Sequence, residues 1–115
     1  MKIIITSKGK TLDSPVDPRF GRGAFFMLID VETGDFEALD NADGIAASHG
    51  AGVQAGQRVV NSGAKALITG HVGPKAGQAM EGSGVEIYCH AEGTVQEMLD
   101  KFRGGELKAE PTEEG

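Results

Sequence analysis

Apolar positions in this chain fall in short runs separated by glycine-rich and charged stretches, and the spacing within each run predicts an element. Lys2-Ile3-Ile4-Ile5-Thr6 is apolar and β-branched at consecutive positions, as expected of a strand buried on both faces. From Ser7 to Gly23 the pattern breaks into Lys, Gly, Asp, Ser and two prolines, a long loop for so short a chain and of the kind that often carries function. Phe25 to Val31 reads as a second strand, Thr33-Gly34-Asp35 as a turn, and Phe36 to Asp40 as a third strand in an antiparallel meander. Asn41 to Gly52 is rich in small residues and reads as a loop. A helix is expected from Ala51 to Asn61, with Val53, Gly56, Val60 and Gly63 near one stripe, Ser48 as its cap and Gly63 as its stop.

The second half alternates more regularly. Ala66-Leu67-Ile68-Thr69 is a short buried strand, the Gly70-His71-Val72-Gly73 turn follows, and Pro74 stands at a first helical position, where a missing amide hydrogen costs nothing. That helix is expected to run to about Gly82, with Ala76, Ala79 and Met80 inward. Val85 to Cys89 forms the last strand. Thr94-Val95-Gln96-Glu97 matches a capping box, and Val95, Met98, Leu99 and Phe102 recur at helical spacing.

A three-stranded meander followed by helix, strand, helix, strand, helix predicts one mixed α/β domain over residues 1–103, with 104–115 as a flexible acidic tail. Right-handed crossovers make the last two strands parallel to the first. The expected sheet is five-stranded with order 3-2-1-4-5, the second strand antiparallel and three helices, a ribonuclease-H-like arrangement. This topology collects Ser7, Phe20-Gly21-Arg22, His49, His71 and Cys89-His90 at the edge formed by the carboxyl ends of the strands. Ligands of open α/β sheets bind at that edge.

Composition narrows the classes. A length of 115 residues suits one domain, and a net charge of −6 argues against a general nucleic-acid surface. One cysteine excludes an internal disulfide and fits a reducing compartment. With no membrane-length apolar run and no signal-peptide pattern, a cytoplasmic protein is expected. A nuclease of the same topology would need carboxylates on the first and fourth strands, which here read Ile3-Ile4-Ile5-Thr6 and Ala66-Leu67-Ile68-Thr69. The glycines of Gly50 to Gly56 fit a dinucleotide fingerprint poorly and are better read as allowing close packing of a helix on the sheet. One cysteine cannot hold an iron–sulfur cluster by four thiolates.

The strand-turn-helix around His71 has the geometry that turns backbone N–H groups toward an anion. The metal-ligand candidates are His71 and His49, followed by His90 and Cys89. Because Cys89 and His90 are adjacent, their side chains point to opposite faces of an extended chain, and a buried, inert Cys89 is the competing reading. Arg22, between two glycines, is placed to contact an anion.

These residues also carry a resemblance. The opening strand, Asp17 to Gly23 with Phe20-Gly21-Arg22, Phe25-Phe26, His49-Gly50, Gly63-Ala64, the Gly70 to Gly73 turn, Gly84-Val85 and Gly93-Thr94-Val95 resemble, in that order, the dinitrogenase iron–molybdenum-cofactor-binding family. That family includes nitrogenase cofactor carriers and the molybdenum–copper orange protein, and the resemblance covers about Met1 to Phe102. It implies a ribonuclease-H-like fold and non-covalent binding of an anionic metal–sulfur cluster, iron–molybdenum-type or molybdenum–copper-type. On this reading Ser7, Phe20, Gly21, Arg22, His49, Gly50, Gly70, His71, Val72 and Gly73 surround the cluster. Cluster donor and acceptor proteins are the implied partners, with no nucleic acid, no membrane and a monomeric chain. A second reading stands beside it: a small regulatory module that binds a protein or small anion at the same edge without metal. Nothing in the sequence supports enzymatic turnover.

Overall fold

The computed structural model describes residues 1–46 and 50–109. Five strands, β1 (Lys2–Ser7), β2 (Phe25–Asp30), β3 (Phe36–Asp40), β4 (Ala66–Ile68) and β5 (Glu86–Tyr88), form one sheet of order β3-β2-β1-β4-β5. β2 pairs antiparallel with β1 and β3, while β4 pairs parallel with β1 and β5. The register aligns Ser7 with Phe25 and Phe25 with Asp40, and on the other side Ile5 with Ile68 and Ile68 with Tyr88. The carboxyl ends of β1, β3, β4 and β5 therefore share an edge, as the topology argument requires.

Alternation along the strands divides the core into two layers. Ile4, Phe26, Leu67 and Ile87 face α2 (Ala51–Asn61) and α3 (Pro74–Met80), meeting Ala55, Val59, Ala76 and Met80. Ile3, Ile5, Met27, Ile29 and Ile68 face α4 (Val95–Arg103), meeting Val95, Met98 and Leu99. The three predicted helices are thus present, two on one face and one on the other. Leu107 also packs against the α4 layer.

Several local expectations change. A short helix, α1 (Ala42–Ala46), occupies part of the segment read as a loop. β2 ends at Asp30 rather than Val31, β5 spans only Glu86–Tyr88, and α3 stops at Met80. The chain leaves α3 at the extended Glu81, and Gly82 at φ +79° completes the following turn, in which the Ser83 N–H donates to the Met80 carbonyl at 3.1 Å. Ser48, expected to cap α2, lies outside the described residues; the α2 N-cap is Gly50, with φ 79°. The α2 stripe centres on Ala55 and Val59, while Val53 and Val60 are half-buried. Close approach between α2 and α3, rather than between α2 and the sheet, explains its glycines. A Cβ on Gly56 would lie 3.0 Å from the Ala79 Cβ, and one on Gly52 would lie 3.2 Å from the Ala76 Cβ.

The long β1–β2 loop is pinned at both ends. Isolated bridges join Ser7 to Val16, Pro15 to Thr94 and Arg19 to His71. Its centre is tied to the sheet edge by buried hydroxyls: the Thr6 Oγ1 donates to the Asp17 carbonyl at 2.6 Å and lies 2.8 Å from the Thr69 Oγ1. Among the described residues no helix is long and apolar enough to cross a membrane.

Candidate functional site

An open cleft of about 640 Å³ lies at the carboxyl edge of the sheet, on the α2–α3 side. Its walls come from three segments: the loop 18–22, the start of α2 at 50–53, and the turn and α3 start at 71–76. Phe20 is buried there, its ring 6.1 Å from that of Phe26. Gly21 lets the loop lie directly on α2, since a Cβ there would come within 2.8 Å of the Gly52 nitrogen. Asn41, 2% exposed, holds the same loop by donating to the carbonyls of Gly21 and Gly23 at 3.1 and 2.8 Å.

Two helices open into this cleft. An α-helix leaves its first amides without intrahelical acceptors. The N-cap residues of α2 and α3 are Gly50 and Gly73; neither offers a capping side chain, and neither first turn holds an acid. Pro74 has no amide hydrogen, so α3 contributes Lys75 and Ala76, and α2 contributes Ala51, Gly52 and Val53. Among the described residues the lining includes Arg19, Arg22, His71 and Lys75 and no carboxylate. Aligned helix dipoles and cations act in the same direction, favouring negative charge.

Asp17 supplies a carboxylate behind the wall. Its Oδ1 accepts from the Arg19 backbone N–H at 3.0 Å and from Nε at 3.2 Å, and its Oδ2 accepts from Nη2 at 3.2 Å. Burial pushes this carboxyl up, but the hydrogen bonds and charge of Arg19 outweigh it and hold Asp17 below the usual carboxylate range. The neighbouring turn is tied to the loop: the His71 N–H donates to the Pro18 carbonyl at 3.0 Å, and a Cβ on Gly70 would lie 2.5 Å from the Pro18 Cα.

The expected site residues separate into groups. Phe20, Gly21, Arg22, Gly50, His71 and Gly73 all line the cleft. Gly70 and Val72 support it instead, Gly70 beneath Pro18 and Val72 against the core. Ser7 ends β1 at this edge but is fully buried, and its hydroxyl donates to the Gly9 carbonyl at 2.8 Å. Cys89 is half-buried against the α2–α3 core layer, and His90 is exposed at φ 64° with its N–H on the Gly70 carbonyl. Neither of these two lines the cleft, so only His71 of the described metal-ligand candidates does. His49 lies outside the described residues. Among the described residues no three of His, Cys, Asp and Glu converge as a metal-ligand set.

Arg22 has a structural engagement as well, its Nη1 donating to the carbonyls of Gly44 and Ile45 at 3.4 and 3.3 Å at the end of α1. Arg19 and Lys75 are lining cations that the sequence reading passed over. Asp17-Pro18-Arg19 held a usable signal, because Asp commonly accepts from the backbone N–H two residues on.

The family model described as dinitrogenase iron-molybdenum cofactor matches residues 1–105. The apo form of the orange protein from Desulfovibrio gigas matches this structure with a TM-score of 0.91 and 41% identity, covering 95% of this chain and 92% of that one. A NifB-like protein from Thermotoga has a TM-score of 0.80 and 38% identity, covering 99% and 98%. An uncharacterized protein of Methanocaldococcus jannaschii is 27% identical, across 94% of this chain and 98% of the relative. By the extent of the family match and the near-complete coverage of these relatives, the chain belongs to the dinitrogenase iron–molybdenum cofactor family.

Proposed function

We propose that this protein binds and carries an anionic metal–sulfur cluster, iron–molybdenum-cofactor-like or molybdenum–copper-type, in the cleft at the sheet edge. The observation that carries this reading is a lining free of carboxylates among the described residues, at two helix starts capped only by glycine, with Arg19, Arg22 and Lys75 around it. Family membership and the likeness to the orange protein support the cluster as cargo. Apolar surface from Val53 and Pro74, backed by the buried Phe20, suits the polarisable faces of a sulfide cluster, and the amides and cations suit its charge.

In this reading Phe20, Gly21, Arg22, Gly50 and Gly73 contact the cargo, and His71 approaches a metal, with His49 as a further ligand candidate. The cluster brings its own sulfide, so the chain needs no thiolate set. The protein works as a cytoplasmic monomer between a donor and an acceptor, and it binds and releases rather than catalyses.

Anaerobic incubation of the purified chain with tetrathiomolybdate, with and without Cu(I), tests this. After desalting, the expected result is molybdenum retained in stoichiometric amount with visible charge-transfer absorption. Loss of all metal on desalting, with these anions and with iron–molybdenum-type clusters alike, overturns the reading and leaves the metal-free binding module.

A further inference from the structure

One cleft cation is oriented from behind the cleft wall. The Asp17 side chain is 1% exposed and that of Arg19 is 66% exposed, so the pair spans the wall from interior to solvent. Asp17 is fixed to the framework independently of Arg19: its N–H donates to the Thr6 carbonyl at 3.0 Å, its carbonyl accepts from the Thr6 hydroxyl, and its Oδ2 accepts from the Ala24 N–H at 3.4 Å. The side-on pairing engages Arg19 through Nε and Nη2. A guanidinium has five N–H donors in a rigid fork. Two are used here, which leaves both Nη1 hydrogens and the second Nη2 hydrogen; among the described residues these have no protein partner. Arg22, in contrast, already engages the carbonyls at the end of α1.

We propose that Arg19 is the cleft's principal side chain for recognising anionic cargo and that Asp17 is its positioning residue, the buried carboxylate fixing the guanidinium so that its outer edge meets the sulfide or oxo groups of the cargo. This inference rests on the cluster-binding reading above. The backbone bridge between Arg19 and His71 ties the loop that carries this guanidinium to the turn before α3. Preorientation lowers the ordering entropy that a flexible cation loses on binding.

If Asp17 acted only through its charge, neutralising it would raise the potential of the cleft and tighten anion binding. As a positioning residue its loss weakens binding. The test measures tetrathiomolybdate affinity of the full chain by visible absorption for wild type, Arg19→Ala, Arg19→Lys, Asp17→Asn and the double variant Asp17→Asn/Arg19→Ala, with thermal melts as folding controls.

Arg19→Ala is expected to lose about ten- to a hundred-fold in affinity, the usual scale of a charge-assisted contact. Arg19→Lys keeps the charge without the fork and recovers only part of that loss. Asp17→Asn loses on the order of tenfold, as supporting partners of binding groups typically do. In the Arg19→Ala background it costs nothing further. Wild-type affinity in Arg19→Ala, full recovery by lysine, tighter binding by Asp17→Asn, or an equal loss on adding Asp17→Asn to Arg19→Ala each overturns the proposal. The two arginine variants decide it even if Asp17→Asn fails to fold. Wild-type protein that retains no thiomolybdate or other cluster is a separate outcome, which defeats the cluster reading itself and this inference with it.

Discussion

Helix starts in this protein come in two kinds. At α4 the Thr94 hydroxyl accepts from the Glu97 N–H at 3.1 Å, and the Glu97 carboxylate accepts from the Thr94 N–H at 2.8 Å. The first turn carries its own acid, so its donors and its dipole are met within the chain. At α2 and α3 a glycine stands where Thr94 stands, and the first turns hold no acid. Among the described residues α4 is the one helix on its face of the sheet, with Leu12, Val16 and Leu107 beside it, and is closed at its start; α2 and α3 share the other face and start open at one cleft. Capping is worth about 1 kcal/mol per helix, and its absence at two adjacent helices falls at the edge proposed to bind cargo.

The most direct way to break this contrast is to close an open start. Gly73 has φ −71° and ψ 166°, and a Cβ there meets no atom within 4 Å, so Gly73→Asp adds an α3 cap without strain. Expected is a stability gain of about a few tenths of a kcal/mol together with a loss of tetrathiomolybdate affinity of about a hundredfold or more, because unit charges about 4 Å apart near a protein surface interact by about 4 kcal/mol. Thermal melts and absorption titrations of one sample read both, and binding that survives the new carboxylate would remove α3 from the site.

Separating the two open helices comes next. Gly56→Val would press into Ala79 and the Ala76 carbonyl. Chemical denaturation should show a loss of about 1–3 kcal/mol, the cost of overpacking, and weaker cargo binding as the walls part. Unchanged stability would mean that the glycine contact does not set the spacing.

The converse change sharpens the contrast. Thr94→Ala should cost about 1 kcal/mol, read as a drop of about 4–8 °C in Tm, with cargo affinity equal to wild type. A binding defect in that variant would show that the α4 start also serves the cleft.

The smallest effect is a change in the acid limb of stability. Asp17 has a folded pKa below its ordinary value, so its contribution is present above the unfolded value of about 3.9 and lost as pH falls through the folded one. Denaturation midpoints at pH 5, 4 and 3 should fall less steeply in Asp17→Asn than in wild type. Equal slopes would place the acid sensitivity elsewhere.

What could be read from the sequence follows the physics of each element. The capping box of α4 was legible because local side-chain–backbone bonds are written in adjacent residues, whereas α2 has the expected bounds but buries Ala55 and Val59 in place of the expected Val53 and Val60. Sheet order was legible because meander and crossover rules leave few alternatives. Helix α1 was not: it has five residues, includes Gly44, and is held by contacts with Gly21 and Arg22 that are distant in sequence. The same limit applied to the cleft. The glycines of α2 signalled close packing, but not that α3 would be the partner. The orientation of Arg19 depends on Asp17 being buried, which only the assembled loop decides.

The three walls of the cleft are separated by most of the folding problem. Residues 18–22, 50–53 and 71–76 meet only after β4 has paired with β1 and α2 has docked on α3. A chain that ends before α3 cannot form the cavity, and a partly folded one offers a fragment of it. On the proposed function, cargo capture therefore requires completed tertiary structure. A ligand that binds the finished fold and not the open chain adds about 2.7 kcal/mol to global stability at a hundred times Kd, distributed across residues that never touch it.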